Sequence, residues 1–219
     1  MKKLTLWALC FALMLPLAAM ADNISVYVGY RDGLRAQGFN PNPWDGSVAV
    51  FQGLGGGTDD GAVMFQNNTT GDITISNVTV NGFANGASFS LWSTFTLHPG
   101  EEGILTATSG DNFDTSDQPI DGCNIHPATP LINFSTDGGI SSTTISDTGE
   151  VLNTGGVDLA TCNTGRFANN TAQGNESIGW RLAGDLSVDR NNVPEPSTLA
   201  LLGSGGLGLL GSFKKRFLN

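Results

Sequence analysis

The sequence predicts an all-β protein: an antiparallel β-sandwich, jelly-roll-like in its connections, flanked by an N-terminal signal helix and a C-terminal transmembrane helix. Three observations carry this. Between the two ends, short runs of alternating apolar and polar residues recur at short spacing, with turn formers between them. Ser, Thr, Asn and Gly fill the polar positions of that stretch, lysine is absent from it, and no window shows an apolar stripe of helical period. Each end instead holds an unbroken apolar run beside basic residues.

About ten strands are expected. Residues 24–28 alternate and close on Arg31-Asp32-Gly33; residues 47–51 follow Asp45-Gly46 and end in a glycine-rich loop. Residues 62–65 lead into the polar turn Asn67-Asn68-Thr69-Thr70-Gly71-Asp72. The clearest strand is 73–80, where Asn77 shifts the alternation and predicts a bulge. Residues 88–97 show another long alternation, and 104–108 follow the turn at Pro99-Gly100. The later strands are 131–135, 140–145, 150–152 and 177–182.

Lys2 and Lys3 precede an apolar run over 4–17, and Ala19-Met20-Ala21 supplies the small residues of a cleavage site between Ala21 and Asp22. Residues 1–21 therefore read as a signal peptide. The other end begins Val193-Pro194-Glu195-Pro196, continues as a leucine- and glycine-rich run over 197–213, and closes on Lys214, Lys215 and Arg216. As a helix, 197–213 would be about 25 Å long, enough for a thin bilayer. The basic cluster would stay cytoplasmic and hold the body outside the inner membrane. The two prolines keep Glu195 in extended backbone open to a protease.

This tail resembles the PEP-CTERM sorting signal: a Pro-Glu-Pro motif, a short transmembrane helix and an Arg/Lys-rich end, here over 191–219 with the helix at 197–213. The resemblance implies transient anchoring in the inner membrane and cleavage by an exosortase near Val193, Pro194, Glu195 and Pro196. It also implies a bacterium that makes extracellular polysaccharide. The same tail is described as the C-terminal domain of ice-binding proteins. Ice binding, however, needs a flat repeated array, and Thr94-Phe95-Thr96 and Thr106-Ala107-Thr108 are two isolated pairs that read as the solvent face of strands. Segments such as 89–92 and 175–181 are similar to those of other PEP-CTERM proteins.

The domain between the ends, 22–190, is long enough to bury a core. Residues 22–193 carry five arginines and 19 of the 20 acids, a formal charge of −14. That charge repels phosphate backbones and excludes nucleic acid as a partner. Once Cys10 leaves with the signal, Cys123 and Cys162 remain, and export predicts that they pair. A loop of that length makes the bridge worth about 3–4 kcal/mol in the chain-entropy model.

His98 and His126 are the only histidines, and no nucleophile elbow, zinc-protease helix or P-loop occurs, so no catalytic residue is assigned and an enzyme is not expected. No cofactor is required. Calcium is the one ion the sequence admits, on Asp111, Asp114, Asp117 and Asp121, whose carboxylates crowd one loop without EF-hand spacing. Asp59-Asp60 is a weaker candidate of the same kind. Trp44, in Pro41-Asn42-Pro43-Trp44-Asp45-Gly46, stands on a rigid turn, either packed against the core or presented for stacking on a sugar ring. Trp92 and Trp180 read as core, and Arg181 as a structural partner of Glu176 or Asp185. The expected role is structural or adhesive, at the cell surface or in an extracellular matrix, with exosortase, the inner membrane and extracellular polysaccharide as partners. The alternatives are a calcium-dependent carbohydrate-binding module and, more remotely, an unrecognised hydrolase.

Overall fold

Alternating β-branched and hydroxyl residues put one apolar face on strands such as 73–80 and 131–135, and the strands pair to bury such faces together. The computed structural model describes residues 22–33, 40–54, 59–83, 86–109, 113, 129–136, 142–153 and 177–188. All of them belong to one compact unit, Asp22–Val188. Nine strands form among them: β1 Asn23–Asp32, β2 Val50–Gln52, β3 Asp59–Asn67, β4 Ile73–Asn81, β5 Phe95–Leu97, β6 Glu102–Leu105, β7 Leu131–Thr136, β8 Thr143–Ser146 and β9 Ile178–Ser187. The first sheet runs β2-β6-β3-β1-β9 and the second β5-β4-β7-β8. Every pair is antiparallel except β2–β6, which is parallel and departs from the expected all-antiparallel order. The expected signal and membrane helices fall on 1–21 and 197–213, outside the described residues. Among the described residues the only helical element is the 3₁₀ turn Asp45–Ser47.

The inner faces of the two sheets share one apolar core. Phe65 of β3 meets Phe134 of β7 and Phe95 of β5 edge-on, at ring separations of 5.0 and 6.0 Å. Around them lie Ile24, Val26, Val28, Val63, Ile73, Ile75, Val80 and Ile132, all fully buried. Phe113 extends the core, edge-on to both Phe89 and Trp92. Trp92 is buried as expected, and its Nε1–H donates to the Thr106 carbonyl at 2.8 Å.

The two sheets differ on their outer faces. β4 and β7 alternate as the sequence suggests, with Ile75, Val80, Ile132 and Phe134 inward and Thr74, Thr79, Asn133 and Ser135 outward. Thr74 and Thr96 share a hydroxyl hydrogen bond across that polar face, and Thr144 donates to Asn133. β1 and β3 are instead buried at almost every position, the signature of a sheet covered on both sides. On the outer face of the first sheet, Phe51, Ile104, Met64, Tyr27 and Leu182 are successive cross-strand partners, so one apolar row crosses all five strands.

One local expectation holds and several are revised. The predicted bulge is present: Asn77 has φ 54° where the β4–β7 register shifts between Ser76 and Thr79. Of 88–97 only Phe95–Leu97 joins the sheet as a strand, while Phe89 makes a single bridge to Val80. Residues 150–152 form no strand, because Glu150 turns with φ 50° and the Asp147 carboxylate accepts the Leu152 N–H. Thr106 is not on a solvent face; it is fully buried and donates to the Gly61 carbonyl. At the β2 edge, the Gln52 amide imitates a strand partner, donating to the Ser93 carbonyl at 2.9 Å and accepting its N–H at 2.8 Å. The opposite edge of that sheet, β9, carries two register shifts against β1, irregularities that disfavour edge-to-edge pairing.

Candidate functional site

Of the residues singled out in the sequence, Trp44 lies at the richest constellation among the described residues. The turn that carries it is built locally: the Trp44 N–H donates to Ser47 Oγ at 3.0 Å, and Ser47 Oγ donates back to the Trp44 carbonyl at 2.9 Å. Asp45 adopts φ 54°, which aspartate tolerates better than most residues. Asn42, Asp45, Gly46 and Ser47 are exposed, whereas Trp44 is half-buried. Its ring stacks on Trp180 at 6.0 Å and 21° and meets Phe51 edge-on at 5.8 Å. The guanidinium carbon of Arg31 sits 4.8 Å from the ring centroid.

Thus Trp44 packs onto the outer face of the first sheet, with part of its surface left to solvent. Trp180 is not in the core; it lies half-buried on that same outer face and donates Nε1–H to the Pro43 carbonyl at 3.1 Å. Gly29 makes this possible, since a Cβ there would stand 3.0 Å from Trp180 Cε3 and 3.1 Å from Pro41 Cγ. Trp44 Nε1 is buried and finds no acceptor among the described residues.

Beneath the indole lies a fully buried ion pair. Arg31 and Asp60 are direct cross-strand partners on β1 and β3, and Arg31 Nη2 donates to Asp60 Oδ2. Arg31 Nη1 donates to the Leu54 carbonyl at 2.9 Å. Burial pulls the guanidinium below its ordinary value, and the charge and hydrogen bond of Asp60 act in the opposite sense. Asp59-Asp60 thus includes the counter-ion of a buried arginine. The sequence held one clue to this, an arginine at the end of an apolar strand in a body with only five. Its partner lies 29 residues away and could not be assigned by spacing.

His98 occupies a different, exposed place. Its Nδ1 is 2.8 Å from Asp72 Oδ1, and its backbone N–H donates to Glu101 Oε2 at 2.8 Å. The hydrogen bond to Asp72, its charge, and then the charge of Glu101 raise the imidazole above its ordinary value. Arg181 is exposed and makes no ion pair among the described residues; Asp185 accepts instead from Ser25 Oγ at 2.6 Å. Asp22, on the mature side of the expected signal cut, is built into the fold. Its carbonyl accepts the Val188 N–H at 2.9 Å and its carboxylate the Thr70 N–H at 3.0 Å.

The other predicted site residues fall outside the described residues. These are Ala21, Asp111, Asp114, Asp117, Asp121, Cys123, His126, Cys162, Val193, Pro194, Glu195, Pro196, Lys214, Lys215 and Arg216. Among the described residues no group of three His, Cys, Asp or Glu side chains is placed to hold a metal ion.

Compared with known families, residues 192–216 match the PEP-CTERM protein-sorting motif. That motif implies export, transient membrane anchoring and processing by an exosortase. No curated protein and no solved structure matches the chain.

Proposed function

We propose that the chain is a structural or adhesive protein of the cell surface or extracellular matrix, in which a β-sandwich domain is delivered by the sorting tail and meets extracellular polysaccharide. The observation that carries this is the sorting motif at 192–216. Two features of the domain agree with it. Its strand edges are short, clipped or bulged, as suits a module exposed to crowded surroundings. Its second sheet presents Thr, Ser and Asn to solvent, a surface that stays soluble without relying on charge. No catalytic step is assigned: the His98 ring bonds only to Asp72 among the described residues.

Deleting the exosortase of the producing cell tests the proposal. The domain is expected in the surface or matrix fraction of the parent strain and in the inner-membrane fraction of the deletion strain. A cytoplasmic chain in both strains, or unchanged release from the deletion strain, would overturn it.

A further inference from the structure

On the outward face of β1, Tyr27, Gly29 and Arg31 follow one another at the two-residue spacing of a strand. Leu182 stands opposite Tyr27 in the register, and it is the one large hydrophobic side chain strongly exposed among the described residues, at 54%. Trp180 lies over Gly29, and Trp44 stacks on Trp180 above Arg31. Leu182, Tyr27, Trp180 and Trp44 therefore form a row along about 13 Å of strand. The three rings are half-buried, fixed from below and partly open to water. Fixed, partly open aromatic rings beside an exposed aliphatic side chain suit a flat ligand with apolar faces and polar edges.

Hydrogen-bonding groups flank the row. Gln66, whose Oε1 is 3.4 Å from the Tyr27 hydroxyl, lies at the Tyr27 end, and the exposed Ser47 turn at the Trp44 end. Charge narrows the ligand further. The −14 of residues 22–193 repels polyanions, and Arg31 already occupies the Trp44 face on which a cationic ligand would sit.

We propose that this row binds an uncharged polysaccharide, with apolar sugar faces laid on Tyr27 and Leu182 and against the solvent-facing edges of Trp180 and Trp44, and hydroxyls reaching Gln66 and the Ser47 turn. This gives the polysaccharide contact of the preceding section a surface and a ligand class, and it rests on that reading.

The test is native affinity electrophoresis of the full chain, kept in a polyoxyethylene detergent that carries no sugar, through gels containing hydroxyethylcellulose, galactomannan, dextran or alginate. At least one of the three uncharged polymers is expected to retard the chain, and alginate is not. Leu182→Asn and Trp180→Ala should each weaken retardation at least tenfold, while Thr96→Ala on the outer face of the second sheet leaves it unchanged. Leu182→Asn changes an exposed side chain, so its melting temperature should match the parent and separate lost binding from lost folding. Retardation by none of the uncharged polymers, equal retardation by alginate, or retardation that survives both Leu182→Asn and Tyr27→Ala would overturn the proposal. An exported chain that binds none of them would remove this inference and leave the export reading intact; a binding chain that stays in the cytoplasm would do the reverse.

Discussion

Replacing Asp60 with alanine should be among the most damaging single changes in the domain. Arg31 is fully buried, and its charge is compensated by Asp60, the Leu54 carbonyl and the ring of Trp44. Without Asp60 the guanidinium keeps one neutral acceptor, one aromatic face and the charges of Asp45 and Asp59, with which it makes no ion pair. Breaking a buried pair from one side costs about 3–5 kcal/mol, a fifth or more of the roughly 5–15 kcal/mol that stabilises a typical domain. For a domain of this size each kcal/mol moves the melting temperature by about 2–4 °C, so Asp60→Ala should lower it by roughly 6–20 °C. Removing both charges is a different perturbation. Arg31→Met with Asp60→Leu leaves no buried charge, and replacements of this kind are often neutral or stabilising. Thermal and urea melts of the two single variants and the double variant give the coupling directly. The reasoning fails if Asp60→Ala costs less than about 1 kcal/mol, well below the range for a broken buried pair, or if the double variant loses the sum of the two single losses.

Three further outcomes are expected. Phe65→Ala empties the place where the two sheets meet, and should cost about 3–5 kcal/mol in a urea melt. Gly29→Ala forces a methyl group against Trp180 and Pro41, at a cost of about 1–3 kcal/mol and with a change in tryptophan emission; Gly46→Ala, where nothing lies within 4 Å, should leave emission unchanged. His98 should titrate above the ordinary histidine value in an NMR series, and Asp72→Asn should bring it down. Because the folded state favours the protonated ring, the stabilisation from this contact is complete below the unfolded value and is lost as pH rises through the folded one.

The second sheet was legible in the sequence because its outer face meets water. The alternation of β4, including the slip at Asn77, and that of β7 are the direct imprint of one wet and one dry face. The first sheet was less legible, since its central strands β1 and β3 are buried at almost every position. The run from Val63 to Phe65 is buried at every position, so alternation could not set the limits of β3, which reaches back to Asp59. β1 likewise continues to Asp32 because Arg31 finds a counter-ion on the neighbouring strand. The site around Trp44 was half legible. The rigid turn and its tryptophan were visible in the sequence. Trp180 and Arg31, which decide how the ring is held, come from 136 residues later and 13 earlier, and only the pairing of β1 with β3 and β9 brings them together.

The most direct test of an exported, tail-sorted domain is the intact mass of the chain recovered from the cell surface or matrix. The expected species begins at Asp22, the residue tied to Val188, and ends near Pro194-Glu195-Pro196, without the apolar run and the basic cluster. A surface species that still begins at Met1, or that still ends at Asn219, would contradict it.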